Sequence, residues 1–359
     1  MWYAHTSSVS RTLLALALVG GVAGGAVGVP PADPFLQSTA YAQPGGGADP
    51  IELSDFISVD DAPRVAQQML PPEQDLADVV LASDLCYDSY GSCQPSHYGR
   101  GGGYWSWQCL PDSLIWHSYL AGPREPRIGT KFLNVSGSQE RGQVLWDATV
   151  GGRRGLIRYG DTNSLRPQGW QLDIEGAALV RLNIDEERDV EASDFRFGIP
   201  LTYGAGNVQY KTGYYHLSSH LGDEFLARNP SATRLNYVRD AIMLGVSYNP
   251  TPNWRLYGEV DYAFFTAGGA EPWEFQFGLE YSQAGPTGFH GTPFFATNAH
   301  LREELDYSGD WTTQFGWLWR NCSGNTMRVG LHYMNGKSTQ YQFLNHSEEQ
   351  LGLGIWYDY

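Results

Sequence analysis

Along most of the chain after residue 141, apolar residues recur at every second position, the period of a β-strand. Leu172, Ile174, Gly176, Ala178, Val180, Leu182 and Ile184 share one face, against Asp173, Glu175, Arg181 and Asn183 on the other. Phe195, Phe197, Ile199, Leu201 and Tyr203 repeat the pattern against Arg196 and Thr202. Leu256, Gly258, Val260, Tyr262 and Phe264 oppose Arg255, Glu259 and Asp261, and Phe275, Phe277, Leu279 and Tyr281 oppose Gln276 and Glu280. These runs are about as long as a tilted membrane strand needs, roughly 9–11 residues or a little more. A water-soluble sandwich also alternates, but here acids and arginines fill the second face strand after strand, as a watery lumen permits. The apolar face keeps ending in Tyr, Trp or Phe, as an interfacial girdle would.

Counting back from the C-terminus predicts strands near 349–359, 325–335, 311–321, 289–300, 272–283, 253–266, 236–249, 207–218, 193–204, 170–184, 154–161 and 142–150. Twelve is an even number, as bacterial barrels require. Asn249-Pro-Thr-Pro-Asn253, Gly204-Ala-Gly206 and Asn321-Cys-Ser-Gly-Asn325 are tight turns, while 185–192, 219–235, 301–310 and 336–347 are longer and polar. The fold expected is therefore all-β: a transmembrane antiparallel β-barrel of about 12 strands over 142–359, short turns toward the periplasm and long loops outside.

The N-terminal part has another texture. Arg11 precedes an uncharged apolar run from Leu13 to Val29, and Ala40-Tyr41-Ala42 offers small residues for cleavage before Gln43, so 1–42 reads as a signal peptide. Residues 43–84 form a Gly/Pro linker and an acidic segment with a short helical candidate around Leu76–Ala82. Residues 85–141, rich in Cys, Gly and aromatics, are expected to be a periplasmic or barrel-plugging segment. In an exported chain Cys86, Cys93, Cys109 and Cys322 are free to form disulfides, whose pairing the spacing leaves open.

Composition narrows the function classes. Lys+Arg 23 against Asp+Glu 39 gives a net charge of −16. That balance excludes nucleic acid as a partner, since phosphates call for a basic face. With 22 Tyr and 12 Trp, a lipid-adjacent setting fits better. The sequons at Asn134, Asn321 and Asn345 are chance matches in a bacterial barrel, and Gly101-Gly102-Gly103 lacks the helix and Lys of a phosphate loop.

The last strand resembles the assembly signal of outer-membrane barrels, in which a Gly is followed three and five residues later by aromatic or apolar residues. Gly354, Tyr357 and Tyr359 fill those places, and Gly352 stands where the pattern has a polar residue. The resemblance implies recognition by the barrel assembly machinery through the C-terminal strand, and export through the periplasm to the outer membrane.

One constellation carries candidate chemistry. His216 and Ser218 lie two apart at the end of a strand, on the face shared with Val208, Tyr210, Thr212 and Tyr214. Asn236 opens the next strand in the lipid-facing phase of Val238 and Asp240. A serine nucleophile needs a base in reach and a third group to orient it, and polar groups facing hydrocarbon need a reason to be there. Ser218, His216 and Asn236 are thus the candidate nucleophile, base and orienting residue. Asp240 is an alternative orienting residue and His220 a second candidate base. The arrangement resembles outer-membrane phospholipase A, a twelve-stranded barrel family with a lipid-facing Ser-His-Asn triad. Here the Asn-Gly that follows the family's Ser is Ser219-His220, and the loop before Asn236 is longer. The resemblance implies membrane lipid as substrate, calcium near the reaction with Asp223 and Glu224 as candidate oxygen ligands, and a possible homodimer. Lipid A deacylase barrels also use a His-x-Ser, so the substrate class stays open.

A wider resemblance covers roughly residue 110 to the end. Leu114 through Arg127 and the run His216–Glu224 resemble an uncharacterised bacterial family, domain of unknown function 1207, classed with outer-membrane barrels. It implies a fold and no activity. Three functions follow from the reading: foremost a structural or pore-like barrel, then a calcium-assisted lipid-ester hydrolase dependent on Ser218, then a binding or adhesion barrel acting through loops 219–235 and 336–347.

Overall fold

The alternation becomes thirteen strands among the described residues of the computed structural model, which are 104–137 and 143–359. The expected signal peptide, the 43–84 segment, Cys86 and Cys93 lie outside them. The strands are β1 (Ser106–Cys109), β2 (Ile128–Gly137), β3 (Gln143–Gly160), β4 (Gly169–Asn183), β5 (Asp189–Ala205), β6 (Val208–Leu221) and β7 (Val238–Thr251). Then come β8 (Trp254–Ala267), β9 (Trp273–Tyr281), β10 (Thr292–Arg302), β11 (Ser308–Arg320), β12 (Thr326–Lys337) and β13 (Ser347–Asp358). One short helix, α1 (Asp223–Arg228), stands between β6 and β7.

From β2 to β13 each strand pairs antiparallel with the next, and β13 pairs back onto β2, with Leu353 opposite Phe132. The result is a closed, twelve-stranded transmembrane barrel, without an edge in the ring to leave backbone groups unpaired in hydrocarbon. β1 is extra: it continues along the end of β3 where β2 has stopped, Trp107 opposite Tyr159.

The expected count of twelve is met by a different division. The separate strands 142–150 and 154–161 are one strand, β3, and the twelfth member is β2, inside the segment 85–141 expected to precede the barrel. Gly151-Gly152-Arg153-Arg154-Gly155 has turn-like composition, but Gly151 and Gly152 sit opposite Ala177 and Gly176, and Arg153 opposite Glu175. Arg153 points inward and forms a buried ion pair with Glu175, which holds the strand extended through its glycines.

The two faces are sorted as a membrane requires. Phe195, Phe197 and Ile199 on β5, Ile242, Leu244 and Val246 on β7, and Leu351, Leu353 and Ile355 on β13 all face outward and are exposed. Facing inward and buried are Arg181, Arg239, Arg328, Asp173 and Glu175. In water so large an apolar outer wall would be a liability; against lipid it costs nothing. At the rim carrying the short turns, outward aromatics form a belt of neighbouring rings: Trp107 with Tyr159, Trp170 with Tyr203, Tyr203 with Tyr210, Trp254 with Tyr281, Tyr357 with Tyr359. This is the girdle of an interface.

The interior is filled from both ends. Residues 111–127 run inside the ring, with Trp116 and Tyr119 fully buried. The Tyr119 hydroxyl donates to Glu259 at 2.6 Å, the Leu120 amide to Glu280 at 2.6 Å, and Arg328 to the Leu120 carbonyl at 3.2 Å. From the other rim the connection 338–346 folds in, burying Tyr341 and Leu344, with the Tyr341 hydroxyl on Glu274 at 3.0 Å. Barrel-wall charges are matched across strands, Arg181 with Asp147 at 2.8 Å and Arg239 with Glu274 at 2.8 Å. An ion left unpaired in such surroundings would cost several kcal/mol, on the order of 3–5, which explains why these charges come in pairs.

Candidate functional site

β6 alternates cleanly. Tyr215, Leu217 and Ser219 point inward and are buried, while Tyr214, His216, Ser218 and His220 point to the outer face. Its register with β7 sets His216 opposite Asp240 and Ser218 opposite Val238, and Ser218 faces Phe195 of β5 on its other side. The site therefore lies on the lipid-facing wall, near the rim that carries the long loops.

His216 Nδ1 lies 2.9 Å from Asp240 Oδ1, and the same oxygen accepts the Tyr214 hydroxyl at 2.6 Å. The side chains of His216 and Asp240 are 40% and 21% exposed, so the pair is reachable from outside the barrel. With Nδ1 committed to the carboxylate, Nε2 has no hydrogen-bond partner among the described residues and remains available for proton transfer. No hydrogen bond joins Ser218 to His216; residues two apart on a strand stand about 6.6–6.8 Å apart along it, so the two side chains must lean together to meet.

Asp240, not Asn236, is the residue in contact with the imidazole. Asn236 is exposed in the connection just before β7, and continuing the register would set it level with His220, four residues beyond Asp240. His220 shares the outward row and packs its ring 5.9 Å from that of Phe195. Asp223 and Glu224 are exposed in the first turn of α1, and Asp223 meets Arg234 at 3.5 Å. No group of three or more His, Cys, Asp or Glu that could hold a metal ion occurs among the described residues. Cys109 is an exposed free thiol at the end of β1, and Cys322 lies in the turn between β11 and β12.

The residue that the sequence reading did not single out is Tyr214. It lies two before His216 in the same phase, and its phenol donates to the same carboxylate oxygen that the imidazole meets. Strand periodicity alone could have flagged it, since any polar side chain in that row competes for Asp240.

Residues 103–359 match the family described as "Protein of unknown function (DUF1207)". The chain belongs to this family. No curated protein matches it. Among solved structures it is similar to the Salmonella typhi outer membrane phospholipase dimer with bound calcium, at 11% identity over 65% of this chain and 91% of that one, with a TM-score of 0.41. It is similar to outer membrane phospholipase A from Escherichia coli at 9% identity over 65% and 93% of the two chains, TM-score 0.41. It is also similar to Pseudomonas aeruginosa OccK11 (OpdR) at 9% identity over 63% and 73%, TM-score 0.25.

Proposed function

We propose that the protein is a lipid-ester hydrolase of the bacterial outer membrane, working from the outer wall of its barrel. The observation that carries this reading is the 2.9 Å contact between His216 Nδ1 and Asp240 Oδ1 on a lipid-facing surface. A carboxylate bonded to one imidazole nitrogen fixes the tautomer and stabilises the imidazolium that forms at the other. Ser218, in the same outward row, is the nucleophile. Its oxygen forms the bond to the ester carbonyl carbon, His216 Nε2 takes the hydroxyl proton and then delivers it to the departing alcohol, and water releases the acid from the acyl-serine by the same proton route. A passive pore needs an open lumen, whereas here residues 111–127 and 338–346 occupy it, and this favours chemistry on the wall over passage through the centre. A second copy of the chain against this face, and reading of β13 by the assembly machinery, belong to the same proposal.

The test is fatty-acid release from phospholipid and from lipid A by refolded protein, with and without calcium, beside Ser218→Ala. Release that disappears in the variant is the expected result. Release equal in both proteins, or none from either lipid, overturns the reading.

A further inference from the structure

At the short-turn rim, the end of the barrel away from the His216 row, a recess of about 100 Å³ is lined by His117, Arg166, Arg255 and Arg320, with Glu280 and Asp358 as its side-chain carboxylates. The acids are already committed. Asp358 is held by Arg328 at 2.9 Å and Arg127 at 3.2 Å, and Glu280 accepts from the Leu120 amide at 2.6 Å and from Arg255 at 3.4 Å. Arg320 is different: Nε donates to the Gln283 carbonyl at 2.9 Å, Nη1 to the Gly324 carbonyl at 3.1 Å and Nη2 to the Ser282 hydroxyl at 3.0 Å. All three are neutral acceptors, and no carboxylate bonds this guanidinium among the described residues. Those bonds fix its plane and use three of its five N–H donors, leaving two and the full charge. Burial, then the nearby Arg320 and Arg255, push the His117 pKa down to about 3, in keeping with a positive local field. Gly324, at φ +92°, keeps the turn beside this imidazole clear: a Cβ there would lie 3.2 Å from His117 Cε1.

We infer that this recess is a binding site for an oxyanion of the phosphate class, with the Arg320 guanidinium as its anchor. The site is independent of the hydrolase reading. A fixed planar fork matches the oxygens of a phosphate, and a recess whose own acids are paired presents it with net positive charge.

The experiment titrates inorganic phosphate, and separately micelles of short-chain phosphatidylglycerol, into the full chain in neutral detergent, read by calorimetry and by the ring signals of His117. Saturable binding of either ligand that weakens about tenfold or more in Arg320→Gln, and is partly kept in Arg320→Lys, is expected. Which of the two binds assigns the source as a free ion or a lipid headgroup. No saturable binding of either, or equal binding by Arg320→Gln, overturns the inference. Should Arg320→Gln fail to fold, equal affinity for Arg320→Lys and the native chain overturns the role of the fork.

Discussion

The guanidinium of Arg124 lies 4.3 Å above the ring of Tyr341, which joins the segment entering the barrel from one rim to the connection entering from the other. Arg124 also bonds the Thr339 carbonyl and pairs with Asp194, a carboxylate with no exposure of its own. One side chain thus ties both inserted segments to the wall of β5.

Replacing Arg124 by Ala strands Asp194 in the interior. Removing one member of a buried pair costs about 3–5 kcal/mol, so the denaturation midpoint in urea falls accordingly. Because the two segments lose their common tie, ion current through single barrels in planar bilayers rises as well. Unchanged stability and unchanged current would show that the tie is dispensable.

Asp240→Asn removes the charge that orients and stabilises the imidazolium of His216. Hydrolysis falls by roughly 10²–10⁴-fold, while Asn236→Ala, four residues up the chain and outside the contact, changes it less than about threefold. Initial rates at saturating lipid decide between them; the reverse ranking would return Asn236 to the orienting role.

His117 sits in the inserted segment with its pKa lowered from 6.5 to about 3, first by burial and then by Arg320 and Arg255. Unfolded, this imidazole takes a proton below pH 6.5; folded, it stays neutral until about pH 3. Its contribution to stability is therefore complete above pH 6.5 and is lost as the pH falls between those two values. His117→Asn flattens that part of the profile. The urea midpoint followed from pH 7.5 to 5 in both proteins reads the difference that belongs to His117.

Gly152 is a seat for the last residue. A Cβ at that position would lie 2.6 Å from the Tyr359 ring, whereas a Cβ at Gly258, also on the barrel wall, would meet nothing within 4 Å. Gly152→Ala is expected to cost about 1–3 kcal/mol through displacement of the ring. Gly258→Ala is neutral or stabilising by about 0.5 kcal/mol, since only backbone freedom changes. Refolding yield and urea midpoints of the two variants make the comparison.

The outer wall was legible because hydrocarbon outside and ion pairs inside impose opposite chemistry on odd and even positions, and the strands from β4 onward obey it. β2 was not, because its inward positions Leu133 and Val135 pack with Leu145 while Phe132 faces out, leaving apolar residues on both faces. β3 was cut in two because its glycines imitate a turn until their partners across β4 are known. At the site, periodicity gave the row His216–Ser218 and the phase of β7, but which β7 residue meets His216 depends on register. Register is set by the pairing of whole strands, and it moves the contact from Asn236 to Asp240.

The seam between β13 and β2 joins positions more than two hundred residues apart, as with Leu353 and Phe132. Every other seam of the ring can form between neighbours in the chain. This one has to wait for the final strand, so the slowest and most entropically demanding contact is also the one that removes the last open edges. A chain halted before Ser347 would hold eleven strands of the right chemistry and two bare margins. Its most available partner would be the same margin on another unfinished copy, so closure acts as the checkpoint separating a membrane protein from an aggregate.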